Sequence, residues 1–146
     1  MSEAEAFLGA HLHRPDHTLA SDSSVVAAFA ATVRDDTGAD INRVAVRYES
    51  GVFLLVEPAA GPYAQDVGAF YERIAGDIVS GISIGVYQKG TTAEVVSISG
   101  VPALVTQNPE GFGDVDLVLD GLRLEITAGY AKVGAQSLVE VAKTLS

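Results

Sequence analysis

The chain has 146 residues, which is one domain by length (1–146) and long enough to bury its own core. Its 48% hydrophobic content excludes a disordered chain, and the absence of cysteine excludes disulfides, thiolate metal sites and redox dithiols. With 19 acids against 9 Lys and Arg, the net charge of −10 argues against nucleic acid and anionic membrane surfaces, which need clustered cations.

No run reaches the length of a membrane-spanning helix, so no membrane insertion is expected. The opening Met1-Ser2-Glu3-Ala4-Glu5 is acidic where a secretion signal is basic. The expected object is soluble, cytoplasmic as read or the mature part of an exported protein. The excess of Arg over Lys, with abundant Ala, Val and Gly, hints at a high-GC bacterium or a salt-adapted organism.

Ser2 to Leu8 reads as a short helix, with Ser2 and Glu5 at capping-box spacing. Within 1–20 the chain otherwise reads as a flexible N-terminal segment. All three histidines, His11, His13 and His17, sit there in a polar loop. With Asp16 as a fourth ligand they are weak candidates for a divalent metal site; solvent-exposed imidazoles are the plainer reading, and no metal or other cofactor is expected.

Asp22-Ser23-Ser24 reads as an N-cap. Val25, Val26, Phe29 and Val33 follow at helical spacing among alanines, which predicts an amphipathic helix ending at Gly38. A hairpin comes next: Val44, Val46 and Tyr48 alternate with Ala45, Arg47 and Glu49, Ser50-Gly51 turns, and Val52 to Val56 returns.

Gly61-Pro62 reads as N-cap and first residue of the main helix. Val67, Phe70, Tyr71, Ile74 and Ile78 form its apolar stripe. Ile82, Ile84 and Val86 alternate with Ser83, Gly85 and Tyr87, a strand pattern. The same stretch holds Gly81-Ile82-Ser83-Ile84-Gly85, which matches the G-x-S-x-G of hydrolase nucleophile elbows. That motif needs a strand before, a helix after and a downstream histidine; here a helix precedes it and no histidine follows His17, so a serine hydrolase is rejected.

The strongest strand signals lie between Thr92 and Ile126. Val95, Val96 and Ile98 reach the break Gly100-Val101-Pro102, and Ala103-Leu104-Val105 returns. Val115 to Leu119 reaches the turn Asp120-Gly121, and Leu122 to Ile126 comes back. Asp114, Asp116 and Asp120 alternate with Val115, Leu117 and Leu119, which predicts an acidic solvated face rather than a calcium loop. The chain closes on a helix with a capping box at Ser137 and Glu140 and a stripe of Leu138, Val141, Ala142 and Leu145. Segregated helices on strands joined by tight turns make the expected class α+β: a curved antiparallel sheet of about six to seven strands with two to three packed helices.

The C-terminal half, with "SGVPALVTQ" (Ser99 to Gln107), a strand ending in Asp120-Gly121, "LRLEITA" and a terminal "SLVEVAKTLS", resembles a group of uncharacterised bacterial extracytoplasmic domains. They occur in anti-sigma factors, sporulation proteins and actinobacterial envelope proteins. The resemblance implies a curved antiparallel sheet with helices on its concave side, similar to the half-barrel of periplasmic lipoprotein carriers. It covers about half the chain, and Val44 to Val56 fits the group's earlier hairpin. The group's aromatic position near Val118 has no counterpart, since the chain has no Trp. The group has no agreed catalytic residues, so the resemblance implies none.

Few catalytic parts are visible, so the expected function is a non-enzymatic binding or sensory module. A curved sheet with a helix across it makes a concave pocket for a small apolar ligand, with Phe53, Leu55, Phe70, Tyr71, Tyr87 and Phe112 as candidate lining. One alternative is a homo-oligomeric interaction protein, most simply a homodimer, pairing through an uncovered sheet edge or binding a protein partner. Another is a small enzyme using Glu57, Glu94 or Glu125, each in an apolar strand; two such carboxylates facing one cavity would favour it.

Overall fold

The structure is a computed structural model and describes residues 2–81 and 87–146. The expected strand from Ile82 onward, apart from Tyr87, and most of the G-x-S-x-G stretch fall outside the described residues.

Helix α1 spans Ser2–Leu8, α2 Val67–Val79 and α3 Ala135–Ala142. The strands are β1 Val25–Arg34, β2 Asp40–Tyr48, β3 Phe53–Pro58, β4 Thr92–Ile98, β5 Val101–Gln107, β6 Gly113–Leu119 and β7 Leu122–Thr127. Among the described residues they form one seven-stranded sheet, open and curved, in the order β1-β2-β3-β7-β6-β5-β4, with every pairing antiparallel. The fold is therefore the α+β sheet with three helices that the patterning predicted. No helix is long and apolar enough to cross a membrane among the described residues.

Alternation sorts the side chains onto two faces. On one, Val44, Val46, Leu54, Val56, Leu124, Ile126, Val115, Leu117 and Val105 form the main core. Helix α3 closes it with Leu138, Val139, Val141 and Ala142, and Leu145 just beyond the helix joins them, all on the predicted stripe or beside it. The N-terminal segment, read from sequence as flexible over 1–20, also packs there from α1 to Ala20. Leu8, Leu12 and Ala20 are buried, and Arg14 exchanges backbone hydrogen bonds with Ser146, which ties the N-terminal loop to the end of the chain. On the opposite face α2 lies across β4 and β5, where Tyr71 and Ala75 pack with Leu104 in a second, smaller core.

Three local expectations are corrected. Val25 to Val33 is not a helix: Asp22–Ser24 is a 3-10 turn, and β1 follows, paired to β2 from Val25 to Arg34 with a bulge at Val26. Asp35 makes the turn between them, its Oδ1 accepting from Thr37 N, Thr37 Oγ1 and Ala39 N, with Gly38 at φ 86°. A glycine with positive φ serves a helix end or a hairpin turn equally well, and strand pairing overrides the weak helix preference of the alanines. Gly61-Pro62 opens a separate 3-10 turn, Gly61–Ala64, and the N-cap of α2 is Asp66, which accepts from Ala69 N at 3.1 Å. The C-terminal capping box does not form. Glu140 accepts instead from Gln136 and Lys143, and α3 starts where Gln107 Oε1 accepts from Ala135 N at 2.9 Å.

Candidate functional site

The face of the sheet that carries α2 is apolar beneath the helix. Beyond it runs a band of charge set by strand register. Arg43 stands beside Glu57 across β2 and β3, Glu57 opposite Arg123 across β3 and β7, and Glu125 opposite Asp116 across β7 and β6. Asp114 sits one step along, opposite Thr127 on β7 and Thr106 on β5.

Half of this band is a closed ion-pair chain. Arg43 Nε donates to Glu57 Oε2 at 2.9 Å, and Arg123 Nη1 donates to Glu57 Oε1 at 3.1 Å. Arg123 also grips Asp116, with Nη2 to Oδ2 at 2.6 Å and Nε to Oδ2 at 3.1 Å. The Tyr63 ring, from the 3-10 turn before α2, lies 4.4 Å from the guanidinium carbon in a cation–π contact. Burial alone would lower the basicity of Arg123, but its bonds to Asp116 outweigh that and hold the guanidinium above its ordinary range. Asp116 is only 6% exposed, so the predicted solvated acidic face is a covered one. The fork from Arg123 and a hydroxyl from α2, Tyr71 to Oδ1 at 2.6 Å, make that burial tolerable. The Tyr71 hydroxyl is itself held above its usual range by burial and by Asp116.

The other half is not closed. A hollow of about 380 Å³ lies over β5, β6 and β7. Its floor is Thr106, Asp114, Glu125 and Thr127; its rim is Tyr87, Gln88 and Thr91 after α2, with Asn108 and Phe112 from the β5–β6 loop. Asp114 has no cation of its own. Burial, then the Glu125 carboxylate beside it, push its carboxyl up to about 9, against a smaller opposing pull from Arg123. At neutral pH Asp114 therefore keeps its proton. Burial and the nearby Asp114 charge push the Tyr87 phenol up to about 12. Thr91 Oγ1, on the wall, is buried with no hydrogen-bond partner among the described residues. No family model matches this chain, no curated protein does, and no solved structure does.

The residues expected to line an apolar pocket do not converge. Phe53 packs near Tyr130, with ring centroids 6.0 Å apart. Leu55 borders a separate hollow of about 150 Å³ with Arg43, Glu57, Arg123 and Glu125. Phe70 and Tyr71 belong to the core under α2. Only Tyr87 and Phe112 reach the larger hollow, whose floor is polar rather than apolar.

The histidines are engaged separately. His11 Nδ1 pairs with Glu5 at 2.9 Å, His13 Nε2 with Asp120 at 2.6 Å, and His17 Nδ1 accepts from Leu19 N at 3.1 Å. Among the described residues, no group of three or more His, Asp or Glu is placed to hold a metal. Of the three candidate carboxylates, Glu94 is exposed on the edge strand β4 and Glu57 is bound up with two arginines; Glu125 alone faces the larger hollow. The partner it meets there, Asp114, is one that strand alternation had assigned to solvent.

Proposed function

We propose that the chain is a binding module whose ligand is a small organic cation carrying N–H donors, such as a primary amine or guanidinium, held in the hollow over β5, β6 and β7. The observation that carries this reading is the Asp114–Glu125 pair on its floor: two acidic side chains line one hollow, and among the described residues neither Asp114 nor Glu125 makes an ion pair. An ammonium group placed there replaces the proton of Asp114 and supplies the positive charge that the pair lacks. The hydroxyl of Thr91, without a partner among the described residues, and those of Thr106 and Thr127 supply further acceptors on the same walls. The hollow's volume, about 380 Å³, suits a molecule of small-ligand size. The reading keeps the binding function expected from the sequence and changes the ligand class from apolar to cationic.

The test is calorimetric titration with alkylamines and short diamines at pH 7 to 8, in two buffers of different ionisation enthalpy. Saturable binding with release of about one proton, lost in Asp114→Asn and Glu125→Gln, is the expected result. Absence of heat across the amine and guanidinium series, with no retained mass in native mass spectrometry, would remove the reading.

The same pair supports a second reading, acid–base catalysis, because a neutral carboxyl beside a second carboxyl in a cavity is how enzymes hold a general acid at neutral pH. Turnover of a bound amine or glycoside, lost in the same two variants, would favour that reading; binding without turnover favours the first.

A further inference from the structure

Strand β1 is the edge of the sheet, and nothing among the described residues pairs with its outer side. It is ten residues long, VVAAFAATVR, with no charge from Val25 to Val33. Phe29 is 62% exposed and Val26 48%. A long, apolar, uncovered edge is a template for another strand, and proteins that keep such an edge free blunt it with charge, proline or a covering element. Along Val25 to Val33 β1 carries no charge and no proline, and its one irregularity, a bulge at Val26, lies near its start and leaves Ala27 to Arg34 in regular register with β2.

Its sequence is close to a palindrome about Phe29. Ala28 mirrors Ala30, Ala27 mirrors Ala31, and Val25 mirrors Val33; Val26 and Thr32, both β-branched, mirror each other. A two-fold axis through an antiparallel strand pair imposes that mirror relation on the residues that meet. We propose that β1 pairs with β1 of a second copy in the register centred on Phe29, joining the two sheets into one. Phe29 then stands opposite Phe29 of the other copy, on the face that carries Ala45, its partner on β2. The small side chains on either side leave the aromatic pair room.

Charge favours the same occupant. Two copies at −10 each repel over most of their surface. The uncharged stretch Val25 to Val33 lets them meet without opposing acids, and in this register Arg34 of each copy comes opposite the uncharged Ser24 of the other. Arg34 is otherwise held only by a long contact to Asp40 at 3.6 Å, with both side chains exposed.

The site over β5 to β7 lies at the other end of the sheet, so the two proposals stand or fall separately. The test is sedimentation of the whole chain from micromolar to near-millimolar protein, with Phe29→Lys beside it. The expected result is a mass twice that of the chain, halved by Phe29→Lys while the circular dichroism is kept. The cysteine-free background allows a second, register-specific test. Oxidised Phe29→Cys should form a covalent dimer, because directly opposed strand residues lie within disulfide reach. Val33→Cys should not, because its two copies would lie about 26 Å apart. A monomer at every concentration overturns the proposal and leaves the edge to a strand of a different protein. A dimer that Phe29→Lys leaves intact, or equal crosslinking through Val33→Cys, overturns it too.

Discussion

The hydroxyl of Tyr71 on α2 donates to Oδ1 of Asp116 on β6 at 2.6 Å, and both residues are buried. This bond is the polar link between the helix and the sheet on that face, set in the apolar contact of Ala75, Leu104, Phe70 and Ile74. It satisfies the one oxygen of Asp116 that Arg123 grips less tightly: Nε reaches Oδ1 at 3.3 Å but Oδ2 at 3.1 Å. Tyr71→Phe keeps the ring and removes the donor. A hydrogen bond to a charged group contributes about 1.5–3 kcal/mol, so urea denaturation should show a loss in that range. Tyr71→Ala also empties the core under α2 and should cost about 3–5 kcal/mol. A neutral Tyr71→Phe would mean that Arg123 alone satisfies Asp116.

Arg123 lies between Asp116 and Glu57, with Tyr63 stacked on it. Removing the cation leaves Asp116 buried without its counter-charge, and breaking a buried pair in this way costs about 3–5 kcal/mol. Arg123→Met should therefore be among the most destabilising single changes on this face. Adding Asp116→Asn to it should recover part of the loss, because the orphaned charge goes with the arginine's absence. A thermal-denaturation double-mutant cycle over Arg123→Met and Asp116→Asn reads the coupling directly, and strict additivity would contradict it.

Asp114 gives the molecule an unusual pH dependence. Its carboxyl titrates near its ordinary 3.8 in the unfolded chain and near 9 in the folded one, because burial and Glu125 oppose its ionisation. Between those values the folded state holds the extra proton, so this group's stabilising contribution is complete below about 4 and is lost as pH rises towards 9. Asp114→Asn removes the titration and keeps the shape. The variant should match the wild type near pH 4 and melt several degrees higher at pH 8 to 9. Each tenfold difference in proton affinity between the folded and unfolded chains is worth about 1.4 kcal/mol, and each kcal/mol moves Tm by about 2–4 °C in a chain of this size. An equal Tm difference at both pH values would show that Asp114 is ionised throughout.

Much of this was legible before the structure, and the parts that were not have definite physical causes. The hairpin Val115 to Ile126 was fixed by its turn: Asp120 and Gly121 have φ 50° and 79°, the geometry that Asp-Gly provides, and the resulting register pairs Leu119 with Leu122. That register already places Glu125 opposite Asp116, two like charges facing each other across strands. On bare solvent such a pairing is unfavourable. It was the available sign that Arg123, on the same face, and some covering element were managing the charge. What the sequence could not supply was α2, whose stripe of Val67, Phe70, Tyr71 and Ile74 names an apolar face but not the strands beneath it. The strand β1 was missed for another reason. Valine and phenylalanine at its ends and centre favour strand, four alanines favour helix, and only pairing to β2 decides between them.

Gly113 connects the core to the site. A Cβ there would collide with the backbone of Ala135 and Gly134, where α3 begins. Its amide donates to Val133 O at 3.0 Å, and its neighbour is Asp114. Gly113→Ala must push the start of α3 off the sheet, against the bond from Ala135 N to Gln107. Overpacking of this kind costs about 1–3 kcal/mol, and here it should appear as lost hydrogen-exchange protection in α3 before global unfolding. Unchanged α3 protection would mean that the helix start yields freely.

Thr91 separates stability from binding. Its Oγ1 is buried in the wall of the hollow without a partner among the described residues, and an unsatisfied buried hydroxyl costs about 1–3 kcal/mol. Thr91→Val keeps the shape and removes that cost, so the free protein should gain about 1 kcal/mol. A ligand that uses the hydroxyl loses an acceptor in the same step, so amine affinity should fall several-fold while stability rises. Opposite movement of the two in one variant marks a residue kept for a ligand rather than for the fold. If the variant gains no stability, the hydroxyl is already satisfied and belongs to the fold alone.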